Sequence, residues 1–162
     1  MSEMPQPNAS TQPVFTIEKV YVKDLSLEIP NAPAVFLERE APTVDIQLHH
    51  NSTSVEDGVY QTVLTATVTA KIGDRTMFLV EAAQAGIFQI RNVGSQDMEP
   101  VLAVTCPNIL FPYVREVISD TVTRAGFPPV LLAPVNFEAI YTSQRQQALS
   151  EPVQIITPGV QH

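Results

Sequence analysis

A single cysteine, Cys106, stands in a chain of 162 residues, so no internal disulfide can form, which fits a reducing cytoplasm. Basic residues are scarce as well: nine Lys and Arg against seventeen Asp and Glu leave a net charge of −8, without a basic cluster to attract phosphates. Nucleic-acid binding is thereby excluded as a leading class. No stretch approaches the roughly twenty consecutive apolar residues of a membrane span. The opening residues, MSEMPQPNASTQP, have neither a basic leader nor an apolar core. The expectation is a soluble, non-exported protein that does not insert directly into membranes. Catalytic signatures are missing too. Without GxSxG, P-loop, GxGxxG, CxxC or HExxH, the common hydrolase and ATP-dependent mechanisms are poor fits, and neither enzyme activity, metal nor cofactor is expected.

The residues that could carry chemistry have plainer readings. His49 and His50 are neighbours on a strand, so their side chains point to opposite faces and cannot share a metal ion. Cys106 precedes Pro107 at a helix start, where a lowered thiol pKa is conceivable, but a buried structural cysteine fits better. Asp24 and Glu28 share a strand face and Glu81 lies on a polar register, yet nothing apolar surrounds them to raise a carboxyl pKa. They make either a solvated sheet face or an acidic docking surface for a basic partner.

What the chain does contain is one domain's worth of alternating and helical apolar pattern. Residues 1–14 are expected to form a disordered arm, 15–143 the folded domain, and 144–162 a mobile tail. From Phe15 to Ile29 the odd positions Phe15, Ile17, Tyr21, Leu25, Leu27 and Ile29 are apolar, with an irregularity at Lys19, Val20, Val22 and Lys23 that suggests a bend or a bulge. Val44, Ile46 and Leu48 alternate with Asp45, Gln47 and His49, and the segment 51–58, NSTSVEDG, looks like a loop. A third strand runs from Tyr60 to Ile72. Gly73-Asp74 suits a type II′ hairpin, and the chain should return antiparallel from Arg75 to Arg91. This last strand is apolar on both faces, with Phe78, Val80, Ala82 and Phe88 on one and Met77, Leu79 and Ile87 beside Glu81 on the other. A sheet covered by helices on one face does not need the second set, which suggests contact with another subunit or a ligand. Four antiparallel strands in a meander-like order are expected.

Helical spacing begins after Gly94. Ser95 can cap a short helix through Val104 and Asn108 a long one, with Pro112 in its first turn, Gly126 as its C′ residue, and an apolar stripe through Leu110, Val114, Ile118 and Val122. Asn136 can cap a last helix bearing Phe137, Ile140 and Tyr141. Between these helices lies GFPPVLLAP, residues 126–134, uncharged and held open by Pro128, Pro129 and Pro134. A stiff apolar loop of this kind either covers a core or walls a groove for apolar ligands.

Residues 15–141 resemble the SecB family of protein-export chaperones. The resemblance rests on YVKDLSLEIPNAP (21–33), FLVEAAQAGIFQI (78–90), CPNILFPYVREVISDTVTRAGFPP (106–129) and LAPVNFEAIY (132–141), in that order. It implies an α+β fold, a four-stranded antiparallel sheet with helices packed on one face. It also implies a cytoplasmic, ATP-independent holdase that binds unfolded preproteins through apolar grooves and delivers them to the SecA motor, working as a homotetramer, a dimer of dimers. By the same resemblance Asp24, Glu28, Leu79 and Glu81 match the SecA-docking surface. Val80, Ala82 and Gln84 match positions that affect tetramer assembly, and the helix 108–125 matches the one packed between dimers. Phe78, Phe88, Phe111, Tyr113, Phe127, Leu131, Leu132, Phe137 and Tyr141 are the candidates for the client groove. The tail departs from the family's acidic pattern, since Glu151 is its only acid, which puts a tail contact with SecA in doubt. A non-chaperone adaptor that binds one folded partner through the same apolar surface is the competing reading.

Overall fold

The computed structural model describes residues 12–150. Of the expected arm at 1–14, residues 1–11 lie outside them, as does the tail from Glu151 onward, whereas Val14 already belongs to the first strand. The described chain forms strands β1 (Val14–Glu28), β2 (Thr43–Glu56), β3 (Val59–Ile72) and β4 (Arg75–Arg91), followed by helices α1 (Ser95–Pro100), α2 (Cys106–Arg124) and α3 (Phe137–Ser150). All strand pairs are antiparallel in the order β1-β4-β3-β2. Strands β2 to β4 are a meander, whereas β1 crosses over to lie beside β4. The long connection 29–42 makes that crossing, through a 3-10 turn at Ala34–Leu37.

The expected turn at Gly73-Asp74 is present. Gly73 has φ +59 and Ile72 pairs with Arg75, so the left-handed position falls on the residue without a Cβ. Two bulges interrupt β1, between Ile17 and Lys19 and between Val22 and Asp24. Each extra residue reverses the facing of the strand beyond it. Tyr21, opposite Ala85, is therefore on the face away from Phe15 and Ile17, and Leu25, opposite Ala82, returns to theirs. The odd positions of β1 do not share one face.

The segment 51–58 is not a loop. Strand β2 continues to Glu56, and only Asp57-Gly58 turns, with Gly58 at φ +74. Pairing with β3 overrides the polar composition, and the opposed Ser52 and Thr62 hydroxyls are hydrogen-bonded at 2.7 Å.

The helical region also differs from expectation. Ser95–Arg124 is one continuous helix about 45 Å long, with no stop at Val104. Its middle, Val101–Thr105, widens into a π turn in which the Cys106 amide donates to the Val101 carbonyl. Pro107 follows at once. A proline ring clashes with the carbonyl four residues back, and the wider turn provides room there. Asn108 is thus an interior residue rather than a cap, and Pro112 lies inside α2 rather than in its first turn. By length and composition this helix could cross a membrane, contrary to the expectation from the sequence. It is instead amphipathic: Leu110, Val114, Ile118 and Val122 are buried against the sheet, and Glu116, Asp120 and Arg124 are exposed.

The core lies between α2 and the faces of β3 and β4, where Leu64, Val68, Val80 and Phe88 meet the buried α2 stripe. Asn136 caps α3 as expected, its Oδ1 accepting from the Ala139 amide at 2.9 Å. Helix α3 continues through Ser150, beyond the expected start of the tail at Gln144.

Candidate functional site

The apolar loop after α2 is set by the helix end itself. The Gly126 amide donates to the Thr123 carbonyl and the Phe127 amide to the Val122 carbonyl, with Gly126 at φ +93. These are the two bonds of a Schellman motif, and they turn Phe127 inward as the apolar residue that accompanies it. Beyond it the loop is divided. Phe127 and Leu132 are buried, Val130 is half-buried, and Leu131 is 74% exposed.

One side of this loop borders an open groove of about 480 Å³. Phe127, Pro128, Pro129 and Val130 form one wall; Val35, Phe36 and the chain to Pro42 form the other; Val44, Met77 and Phe78 complete the lining. Phe36 stacks on Phe127 with ring centroids 4.9 Å apart, and Phe78 approaches Phe127 at the same distance. The second wall is anchored by Asn31, whose Nδ2 donates to the Thr76 carbonyl at 2.8 Å, and by an ion pair between Glu38 and Arg75. The loop that could have been core cover or groove wall is both: Phe127 and Leu132 are buried, and Phe127 to Val130 wall the groove.

Of the groove candidates expected from the sequence, Phe78 and Phe127 line this groove. Phe88, Phe111, Leu132 and Phe137 belong to the buried core and do not border the groove, with Phe111 of α2 and Phe137 of α3 meeting edge to face. Tyr113 and Leu131 are exposed and Tyr141 is half-buried, away from the groove lining. Sequence reasoning missed Val35, Phe36, Val44 and Met77 as lining residues, and anticipated Val130 only as part of the loop 126–134. A signal was available for Phe36: the connection PNAPAVFLEREAP holds the apolar run Ala34 to Leu37 between prolines, as the loop 126–134 does, before the charged Glu38, Arg39 and Glu40.

The sheet face away from the helices carries the second candidate surface. Glu28 pairs with Leu79, Ser26 with Glu81 and Asp24 with Ala83, so Asp24, Glu28, Leu79 and Glu81 share this face. Thr67 donates to Glu81 Oε2 at 2.8 Å. Val80, Ala82 and Gln84 lie on the opposite, covered face, all at most 3% exposed beneath α2, and Gln84 Oε1 has no partner there.

The titratable groups are separated as the strand register demands. His49 is exposed on the open face. His50, on the covered face, has a buried Nδ1 without a partner and meets the Phe137 ring edge-on at 6.5 Å. Burial, and secondarily the charge of His49, holds the His50 imidazole below its ordinary pKa. Burial pushes the Cys106 thiol up to about 11, against a lesser opposing effect of its hydrogen bond with Thr62. It is a structural thiol, not a nucleophile. Among the described residues no group of three His, Cys, Asp or Glu side chains is placed to hold a metal ion.

Residues 8–148 match the family model described as preprotein translocase subunit SecB. A protein-export protein SecB of Methylobacillus flagellatus is 65% identical over 136 residues, covering 84% of this chain and 87% of that protein. Another protein-export protein SecB, from Nitrosomonas eutropha, is 62% identical over 154 residues, covering 93% of this chain and 96% of that one. Among solved structures, a SecB-like chaperone of Mycobacterium tuberculosis (Rv1957), in complex with a ChAD peptide from the Rv1956 HigA1 antitoxin, superposes with a TM-score of 0.62 at 16% identity, over 75% of this chain and 90% of that one. That likeness carries the fold, and the α+β architecture expected from the motifs is the one observed. The matched span, the identity to these relatives and the fold agree: the chain belongs to the SecB family.

Proposed function

We propose that this protein is a protein-export chaperone, an ATP-independent cytoplasmic holdase that takes unfolded preproteins into the groove between residues 35–44 and 126–130 and passes them to SecA. The observation that carries this reading is the groove itself. It is largely apolar, open and walled by two proline-bounded segments, so it accepts extended apolar chains of many sequences. Ordering an extended client largely offsets the apolar burial, so one groove binds weakly and several on one assembly raise the effective concentration.

Assembly as a homotetramer has support in β1. Phe15, Ile17, Val22, Leu25 and Leu27 line its helix-side face at 37–46% exposure, an apolar stripe that α2 leaves uncovered. In this reading Val80, Ala82 and Gln84 affect assembly indirectly, by seating α2 on the sheet, because their own chain buries them. Asp24, Glu28, Leu79 and Glu81 form the proposed SecA surface, acidic around one aliphatic centre.

Light scattering of the protein alone and with an unfolded client tests tetramer and holdase together. A fourfold protomer mass that rises with client, and suppression of aggregation by stoichiometric protein without nucleotide, are expected. Protection of one folded partner only would point to an adaptor and sink the holdase reading. Leu79→Arg and Glu81→Lys should weaken SecA binding in pull-down or calorimetry and leave client binding unchanged; normal SecA binding by both would overturn the docking assignment.

A further inference from the structure

The two walls of the groove differ in charge. The wall formed by Gly126 to Val130 carries none, whereas the other presents Glu38 and Glu40 to the same space. The Glu38 carboxylate is engaged by the Arg75 guanidinium. Glu40 is exposed, and among the described residues it pairs with no cation. The rim therefore offers a neutralised pair at one point and an unpaired carboxylate at another, in front of the apolar lining of Phe36, Val44 and Phe127, while the exposed Arg39 between them is not among the lining residues. An apolar wall on one side removes part of the water that would screen a partner.

We propose that Glu40 is a specificity-determining residue of the groove: it favours extended apolar segments that carry a Lys or Arg beside the apolar anchor and disfavours those with an acid there. Arg75 offsets this little, because the Glu38 carboxylate already pairs with it and it is not among the residues lining the groove. The inference rests on the groove being the client site, and its test separates the two.

Three short peptides with one apolar core and a flanking Lys, Gln or Glu are titrated into the full-length protein by fluorescence anisotropy. Affinity should fall in the order Lys, Gln, Glu, with Lys preferred over Gln by about two- to five-fold, the range for a partly exposed pair. The preference should shrink at about 0.5 M salt. Glu40→Gln should bring the Lys to Gln ratio near one, and Glu40→Lys should reverse the order. Val130→Asp should weaken the Gln peptide, which carries no charge of its own in the flank. If Val130→Asp does so while the Lys preference survives Glu40→Gln, the groove stands and the assignment of Glu40 is wrong. If the Gln peptide is indifferent to Val130→Asp, the groove reading fails and this inference with it.

Discussion

The two faces of the sheet are built from the same strands, and on β4 successive residues belong to opposite ones. Phe78, Val80, Ala82 and Phe88 lie under helices and loop and are buried, whereas Leu79 and Ile87 on the other face are only half-buried and Glu81 is exposed. The covered face uses small residues to admit α2. A Cβ at Gly86 would come within 3.0 Å of Leu110 Cδ2, so the helix rests where the sheet has no side chain. The open face uses Thr65, Thr67 and Thr69, whose β-branched side chains suit a strand and tolerate water. Stability is concentrated on one face, and the other is left open.

The sharpest way to break this contrast is to truncate one leucine on each side. Leu110→Ala removes a fully buried side chain and should cost about 2–5 kcal/mol in urea unfolding. Leu79→Ala, on the open face, should cost about 0.5 kcal/mol. Comparable losses would mean that the open face is covered in solution by something as well packed as α2.

A smaller effect is expected at the closure of the covered face. Gly126→Ala places a Cβ on a residue at φ +93 and within 3.2 Å of Phe36 Cε1. The left-handed conformation alone should cost about 1–2 kcal/mol. The contact with Phe36 should also disturb the groove wall, visible as weaker peptide binding at temperatures where the variant remains folded. Loss of stability without any change in binding would separate the loop from the groove.

Much of this arrangement was legible where the determinants are local. The Gly73 turn, the bulged stretch of β1, the Asn136 cap and the α2 stripe are each specified by residues a few positions apart. The open-face positions Leu79 and Glu81 and the covered ones Val80 and Ala82 came from period-two alternation. Illegible were features decided by distant partners. Whether NSTSVEDG turns or extends depends on β3 accepting it as a neighbour, and the place of β1 beside β4 depends on a crossover without a local signature. The break expected before Asn108 failed because a π turn absorbed Pro107. Phe36 was hidden because its role exists only once Phe127 stacks on it, some ninety residues later.

The adjacent histidines offer the finest test of the contrast, since they place one imidazole on each face. The His50 pKa is held below its unfolded value of 6.5 by burial first and by His49 second. Below that value the unfolded chain binds a proton that the folded chain resists, so stability should be fully present above about pH 6.5 and fall as pH drops through the range between the two pKa values. Apolar groups face His50 from every packed element: Leu48 on its own strand, Leu64 on β3, Phe137 and Ile140 on α3. The polar side chains lining the adjoining spaces are His49, Asn51, Ser52, Ser95, Glu99 and Gln144, and of these Glu99 is the one carboxylate that could pair with the charge. His50→Leu should therefore flatten the acid side of the stability profile measured by urea unfolding from about pH 7.5 to 5.5, relative to the parent. His49→Gln removes only the lesser cause and should leave most of the slope. An equal flattening by both variants would mean that the neighbouring charge, rather than burial on the covered face, governs the titration.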